Sequence, residues 1–319
     1  GDVPLAAITV VLPGGTSADP AGKAGLAEMT AGLVDKGTAT RSAEQIAQTL
    51  ESLGASLSAS AGVDGTFVSL TAPVGNIMAA GEVMSDVIRN ASFPESELDR
   101  ERKRAIDGLQ VAMKDPGSLA AILSAPVMYG SAAYGGVTTA QSLTNLTQAD
   151  LASFQSTWWH PAAAQIVVSG GIAPERAKEV AGALFGNWQS DQPAPTPIAD
   201  PSGPAPAPRA LVIDMPEAGQ AAVLAGVRAI SRSDADYYPL MLANTVLGSG
   251  SNGRLFEEIR TKRALSYGSY SSFGARAGQA VLTANAQTKN ETADEVADVI
   301  LEQFELLGTA PLEEEALQK

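Results

Sequence analysis

The sequence predicts an α+β protein of two homologous domains, each a mostly antiparallel sheet packed with helices, the second of them truncated. Three observations predict it. Short β-rich runs alternate with amphipathic helical stretches along the chain. Leu70-Thr71-Ala72 recurs as Leu282-Thr283-Ala284, and Asp86-Val87-Ile88 recurs as Asp298-Val299-Ile300, both 212 residues later. A proline-rich segment separates two regions that each mix strands and helices. Two matches at one offset, in the same strand-to-helix order, are the mark of a duplicated unit.

The N-terminal domain is expected over residues 1–190. Residues 3–12 are β-rich and end in the turn Pro13-Gly14-Gly15. A helix over 24–34 carries Leu26, Thr30, Leu33 and Val34 on one face. Ser42 and Gln45 have capping-box spacing, and Ile46, Leu50 and Leu53 make the apolar stripe of the helix they open, before Gly54. Two alternating strands follow at 56–60 and 66–72, with a glycine-containing turn between them. A helix over 76–89 buries Ile77, Met84 and Ile88, and Pro94 opens a long charged helix at its first position. Further helices lead to Trp158-Trp159-His160-Pro161, which closes one of them before a strand at 165–168.

Residues 191–208 hold seven prolines with little that packs. Such a linker is extended and semi-rigid, spanning up to about 55 Å at ~3.1 Å per residue. The C-terminal domain, 209–319, repeats part of the first, including a proline-initiated acidic helix at 311–315 that echoes Pro94-Glu95. Nothing after Lys319 answers to residues 115–185, so the expectation is a protein that continues beyond this chain or a trimmed domain.

Composition excludes several function classes. At 319 residues, 45% hydrophobic and 18% charged, the chain is globular. A net charge of −14 repels phosphate backbones, so no nucleic-acid partner is expected. No apolar run approaches the ~20 residues that cross a bilayer. Cysteine is absent, which excludes disulfides, thiolate metal sites and thiol nucleophiles. The one histidine, His160, cannot supply the two or more His or Cys ligands a catalytic zinc normally takes, so no metal is expected on this chain. A Ser-His-Asp arrangement would have to use His160, which reads either as a turn residue or as a base, and no serine sits in a Gly-x-Ser-x-Gly elbow. Absent cysteines suit the periplasm and the cytoplasm equally; the periplasm is the location expected, from a chain that opens in an apolar stretch with no charged leader, as though after a removed segment, with the cytoplasm as the alternative.

The densest chemistry lies in residues 247–273. A flexible glycine-rich loop over 248–253, with Gly250 and Gly253, leads into a helix over 254–262, and a strand from about 265 carries Tyr267 and Tyr270. The loop lacks the lysine of a phosphate-binding motif. Arg260 reads either as a cation answering a helix C-terminus or as a ligand contact. Tyr267 reads either as a strand aromatic or as a contact of the same kind.

The stretch from Ser251-Asn252-Gly253-Arg254-Leu255-Phe256 through Arg260 to Ala264-Leu265-Ser266-Tyr267 resembles the second-domain signature of the pitrilysin/insulinase family of zinc metallopeptidases. Gly25-Leu26-Ala27 and Lys36-Gly37-Thr38 are similar to the residues flanking that family's His-x-x-Glu-His motif, and Phe93-Pro94-Glu95 to those before the helix of its third ligand. Where active members carry the two histidines and the glutamate, this chain has Glu28, Gly32 and Ala31, and near the third ligand it has Asp107 and Gly108.

The resemblance therefore implies the subunit without the zinc motif, the substrate-binding partner in a two-subunit bacterial peptidase. It implies a heterodimer with a homologous zinc-bearing subunit, peptide substrates, and no cofactor on this chain. In the family an arginine, and a tyrosine seven residues on, contact the peptide, and Arg260 and Tyr267 match that spacing. Tyr267 would then donate to the scissile carbonyl oxygen and Arg260 would hold a neighbouring carbonyl or carboxylate, with Gly250 and Gly253 in a mobile lip. The alternative is a non-catalytic scaffold or core protein of a larger assembly, in which the pair is vestigial.

Overall fold

Alternate apolar side chains of residues 6–12 set the first sheet. Strand β1 (Leu5–Pro13) turns Ala6, Ile8, Val10 and Leu12 inward. The computed structural model describes residues 4–309. β1 pairs antiparallel with β3 (Gly65–Pro73) on one side and β4 (Gln165–Gly170) on the other, while β2 (Ser56–Ala61) pairs with β3, giving the order β2-β3-β1-β4. The register aligns Leu57, Leu70, Ile8 and Val168 in one row across the sheet.

Helices cover this row. α1 (Leu26–Gly32) buries Leu26, Thr30 and, just past its end, Leu33 and Val34, the face expected. α2 (Ala43–Ser52) begins in the expected capping box: Gln45 N–H donates to Ser42 Oγ at 3.2 Å, and Ser42 N–H donates to Gln45 Oε1 at 2.9 Å. α3 (Ile77–Asn90) buries Ile77, Met84 and Ile88 in the same core as Ile46 and Leu50 of α2. α4 (Glu95–Ala112) follows Pro94 and buries only Leu98 of its own residues, holding its charges in pairs such as Lys103–Asp107, 2.6 Å. One further helix, α5 (Pro116–Tyr129), is capped by Asp115, whose carboxylate accepts from Ser118 N–H at 2.8 Å. α6 (Ala140–Thr144), α7 (Gln148–Trp158) and α8 (Pro174–Phe185) complete the first half of the chain, and α7 packs on α1.

The second sheet is the first in outline. β5 (Ala221–Arg228), β6 (Ser269–Phe273) and β7 (Val281–Thr288) pair antiparallel in the order β5-β7-β6, as β1, β3 and β2 do. The repeated tripeptides occupy matching places. Leu70 and Leu282 lie in β3 and β7, while Asp86-Val87-Ile88 and Asp298-Val299-Ile300 lie in α3 and in α11 (Ala293–Thr309). Between β5 and β6 come α9 (Tyr237–Gly248) and α10 (Arg254–Phe256). The chain is thus α+β, with an antiparallel sheet and helices in each of two domains.

Two features depart from the expected boundaries. The compact units are Gly1–Asp107 with Thr138–Ala199, and Gly108–Val137 with Asp200–Lys319. Residues 108–137, expected with the first domain, therefore cluster with the second, and α5 packs on β5 there. The proline-rich segment is not a bare spacer. Pro201 O accepts from Tyr134 N–H at 2.9 Å, Ser202 Oγ from Gln279 N–H at 2.7 Å, and Arg228 donates to the Ser202 and Gly203 carbonyls. Backbone carbonyls and the Ser202 hydroxyl do the binding, so the low apolar packing capacity of the segment misleads. The acidic helix expected at 311–315 lies outside the described residues. Among the described residues, no helix is long and apolar enough to cross a membrane.

Candidate functional site

Leu255 and Ile259, both fully buried, fix one face of the segment that carries Arg260 into the second core, beside Leu247, Val296 and Ile300. The expected helix over 254–262 is not uniform. Three α-helical residues are followed by a π-helix, Glu257–Lys262. Its wider turn ends with Leu265 N–H donating back to Ile259 O at 2.9 Å and Ala264 N–H to Arg260 O at 3.1 Å. Ala264 takes φ +53, a left-handed conformation strained for a residue with a side chain. Short π-helical turns of this kind recur at functional sites.

That reversal brings the chain back over the helix. Tyr267, expected on a strand from 265, instead lies in a loop, because β6 starts at Ser269; Tyr270 is on the strand as expected. The loop is pinned at both sides: Thr288 Oγ1 donates to Leu265 O at 2.6 Å and Ser266 Oγ to Gln287 O at 2.6 Å. The Tyr267 ring, 86% exposed, lies 4.5 Å from the Arg260 guanidinium carbon. The Phe256 ring lies 4.9 Å from the same carbon. Such contacts contribute about 0.5–1 kcal/mol each at exposed sites.

The neighbouring cations are committed elsewhere. Lys262 Nζ reaches Glu258 at 2.6 Å and Arg263 pairs with the same carboxylate; these hydrogen bonds, Lys262's first, hold Glu258 below its usual range. Arg263 also donates to Glu258 O at 3.0 Å, so a backbone carbonyl of the π-helix is met by Arg263. Among the described residues, Arg260 has no carboxylate partner. The Arg260 side chain is exposed.

The two glycines differ. Gly253 is buried and precedes α10; a Cβ there would sit 2.5 Å from Gly248 Cα and 3.0 Å from Leu247 O. Gly253 N–H donates to Gly250 O at 3.1 Å, and a Cβ on Gly250 would meet nothing. The loop expected to be flexible is a closed turn packed against the end of α9.

In the first unit, Glu28, Ala31 and Gly32 lie on α1. Ala31 is buried, Gly32 has no side chain, and Glu28 is exposed, so one carboxylate stands where a ligand set would be needed. Asp107 and Gly108 are exposed on α4. Among the described residues, no group of three or more His, Cys, Asp or Glu side chains is placed to hold a metal ion. A zinc ion does not fit these residues.

Asp19, which carries no signal in the sequence, caps α1 by accepting from Gly25 N–H at 2.7 Å and Ala27 N–H at 2.8 Å. Burial outweighs those bonds and, with the nearby Glu28 charge, pushes its carboxyl up to about 6. Burial raises Glu28 as well, although much of its side chain is exposed. His160 is buried: Nδ1 accepts from Ala162 N–H at 3.2 Å, which leaves Nε2 to donate to Gln192 O at 2.9 Å. Both ring nitrogens serve the turn.

Comparison with known proteins agrees with this architecture. The family model described as Insulinase (Peptidase family M16) matches residues 2–134, and that described as Peptidase M16 inactive domain matches residues 145–319. An uncharacterized zinc protease of Mycobacterium leprae is 27% identical over 286 residues, covering 88% of this chain and 63% of the relative. One of Streptomyces coelicolor is 26% identical over 244 residues, covering 75% and 53%. The chain thus spans less than two thirds of the length of these relatives. Among solved structures, a peptidase M16 inactive domain from Pseudomonas fluorescens superposes with a TM-score of 0.89 at 26% identity, covering 98% of this chain and 76% of that one. A Helicobacter pylori protease has the same fold, with a TM-score of 0.89 at 19% identity, covering 99% and 77%.

Proposed function

The chain belongs to the insulinase (M16) family of peptidases, and from that premise we propose that it is the zinc-free, substrate-binding subunit of a two-chain bacterial metalloendopeptidase. The observation that carries the reading is the Arg260–Tyr267 pair. Seven residues apart in sequence, the two side chains meet at 4.5 Å on a pinned loop, and Arg260 has no carboxylate partner among the described residues.

In this reading a homologous partner subunit carries the zinc that the relatives' names imply, and this chain supplies recognition. The Tyr267 hydroxyl donates to the carbonyl oxygen of the peptide bond under attack, where negative charge develops. A donor placed there is worth about 2.7–4 kcal/mol in comparable sites. The Arg260 fork orients a neighbouring carbonyl or carboxylate of the peptide. Gly253 fixes the turn before α10, and Gly250 leaves open space beside it for the passing chain. The periplasm is the proposed compartment, checked by fractionation.

Tyr267→Phe removes one oxygen from an exposed ring and leaves the fold intact. In the two-chain enzyme it lowers kcat tenfold or more, and unchanged turnover removes Tyr267 from the mechanism. A second reading, a scaffold protein with a vestigial pair, draws support from α9, which exposes Tyr238 and Leu242 at 63% and 61% as a partner surface would. It predicts that neither Tyr267 nor Arg260 substitutions alter any peptide turnover.

A further inference from the structure

We infer that the site selects peptides bearing a carboxylate next to the bond it presents, and that Phe256 is the positioning residue that makes Arg260 able to read it. The inference rests on the reading of Arg260 and Tyr267 as substrate contacts.

Geometry is the first support. Arg260 meets two rings, Phe256 at 4.9 Å and Tyr267 at 4.5 Å from its guanidinium carbon. Contacts with two rings restrict a long side chain that otherwise loses rotamer freedom on binding. Arg260 is exposed and pairs with no carboxylate among the described residues, and its planar fork can match a carboxylate through two parallel hydrogen bonds. A lone carbonyl uses one of them.

The electrostatics agree. Lys262 and Arg263 share Glu258, whereas no carboxylate pairs with Arg260 among the described residues, even with Glu257 three positions before it on the same helix. A cation without an ion pair is open to an external anion, and Arg260 is the one that meets Tyr267. Repulsion from the distant acidic surface is screened beyond ~8 Å at physiological salt, so it disfavours polyacidic peptides more than those with one carboxylate. Phe256 is held in place because it follows Leu255, which is fully buried, and directly precedes the π-helix.

The test uses the chain itself and two acetylated, amidated pentapeptides, one with a central glutamate and one with glutamine. NMR titration follows the Arg260 side-chain resonances, which ring currents from Phe256 and Tyr267 displace in the free protein. The glutamate peptide is expected to bind on the order of three- to tenfold tighter than its glutamine counterpart. Phe256→Ala shifts the free Arg260 resonances and abolishes the preference, while Phe256→Tyr keeps both, which separates orientation from general loss of packing. Equal binding of the two peptides, binding of neither, or a preference that survives Phe256→Ala overturns the inference. The parent reading is judged separately by Tyr267→Phe in the two-chain enzyme, so a normal loss of turnover there with no glutamate preference here refutes this inference alone.

Discussion

Replacing Gly253 and Gly250 by alanine, one at a time, separates structure from recognition in the turn before α10. Gly253 has φ −73, which any residue adopts, so its glycine is required by space and not by conformation. The added Cβ would lie 2.5 Å from Gly248 Cα, 2.9 Å from Gly248 N and 3.0 Å from Leu247 O, all backbone atoms at the end of α9. Backbone cannot swing aside as a flexible side chain can, so the turn must open. Overpacking of this kind costs about 1–3 kcal/mol. Gly250→Ala meets nothing within 4 Å and is expected to change stability by less than about 1 kcal/mol. The assay exploits an accident of composition: all six tyrosines lie in the second unit and all three tryptophans in the first. Urea unfolding followed by tyrosine near-ultraviolet circular dichroism should shift for Gly253→Ala, while the tryptophan fluorescence transition stays in place. A Gly253→Ala protein as stable as the parent in the tyrosine signal refutes the packing argument.

Other perturbations give equally direct outcomes. Asp19 has a folded pKa of about 6 against an ordinary 3.8, so the folded state binds the proton more tightly and stability falls as pH rises from about 4 through 6. A shift of that size corresponds to roughly 2–3 kcal/mol, and Asp19→Asn should flatten the tryptophan-detected stability across that window. Ser42→Ala breaks the capping box of α2 and costs the first unit about 1 kcal/mol, read from the same tryptophan transition. His160→Ala leaves the Gln192 carbonyl and the Ala162 amide without their partner; it is expected to destabilise the first unit by about 1–3 kcal/mol and to leave peptide turnover of the two-chain enzyme unaltered. Lost turnover with intact stability would instead make His160 a base.

The duplicated outline was legible because each recurring tripeptide carries core residues: Leu70 and Leu282 keep their place in the sheet, and Ile88 and Ile300 in the helix packed on it. The unit boundary inside α4 was not, since Asp107 and Gly108 interrupt neither the helix nor its charge pattern, and only tertiary contacts assign residues 108–137 to the second unit. The pairing of Arg260 with Tyr267 was legible as a spacing, through resemblance. Its geometry was hidden, because Leu255 in α10 and Ile259 in the π-helix stand four residues apart, as they would in one continuous α-helix. Phe256 had no signal of its own; it reads as an ordinary apolar residue until the structure brings Arg260 close to both its ring and that of Tyr267. The turns around Ser202 and Asp19 went unread because their partners are backbone groups distant in sequence or lie across a turn.

The central claim is a division of labour between two chains, and one measurement tests it most directly. The chain is purified and mixed with a homologous zinc-bearing M16 subunit from the same organism, and cleavage of a quenched fluorescent peptide is followed for each chain alone and for the mixture. Division of labour predicts no cleavage by this chain, little by the partner, and turnover in the mixture that falls tenfold or more with Tyr267→Phe or Arg260→Ala. Cleavage by this chain alone, or turnover in the mixture indifferent to both substitutions, contradicts it.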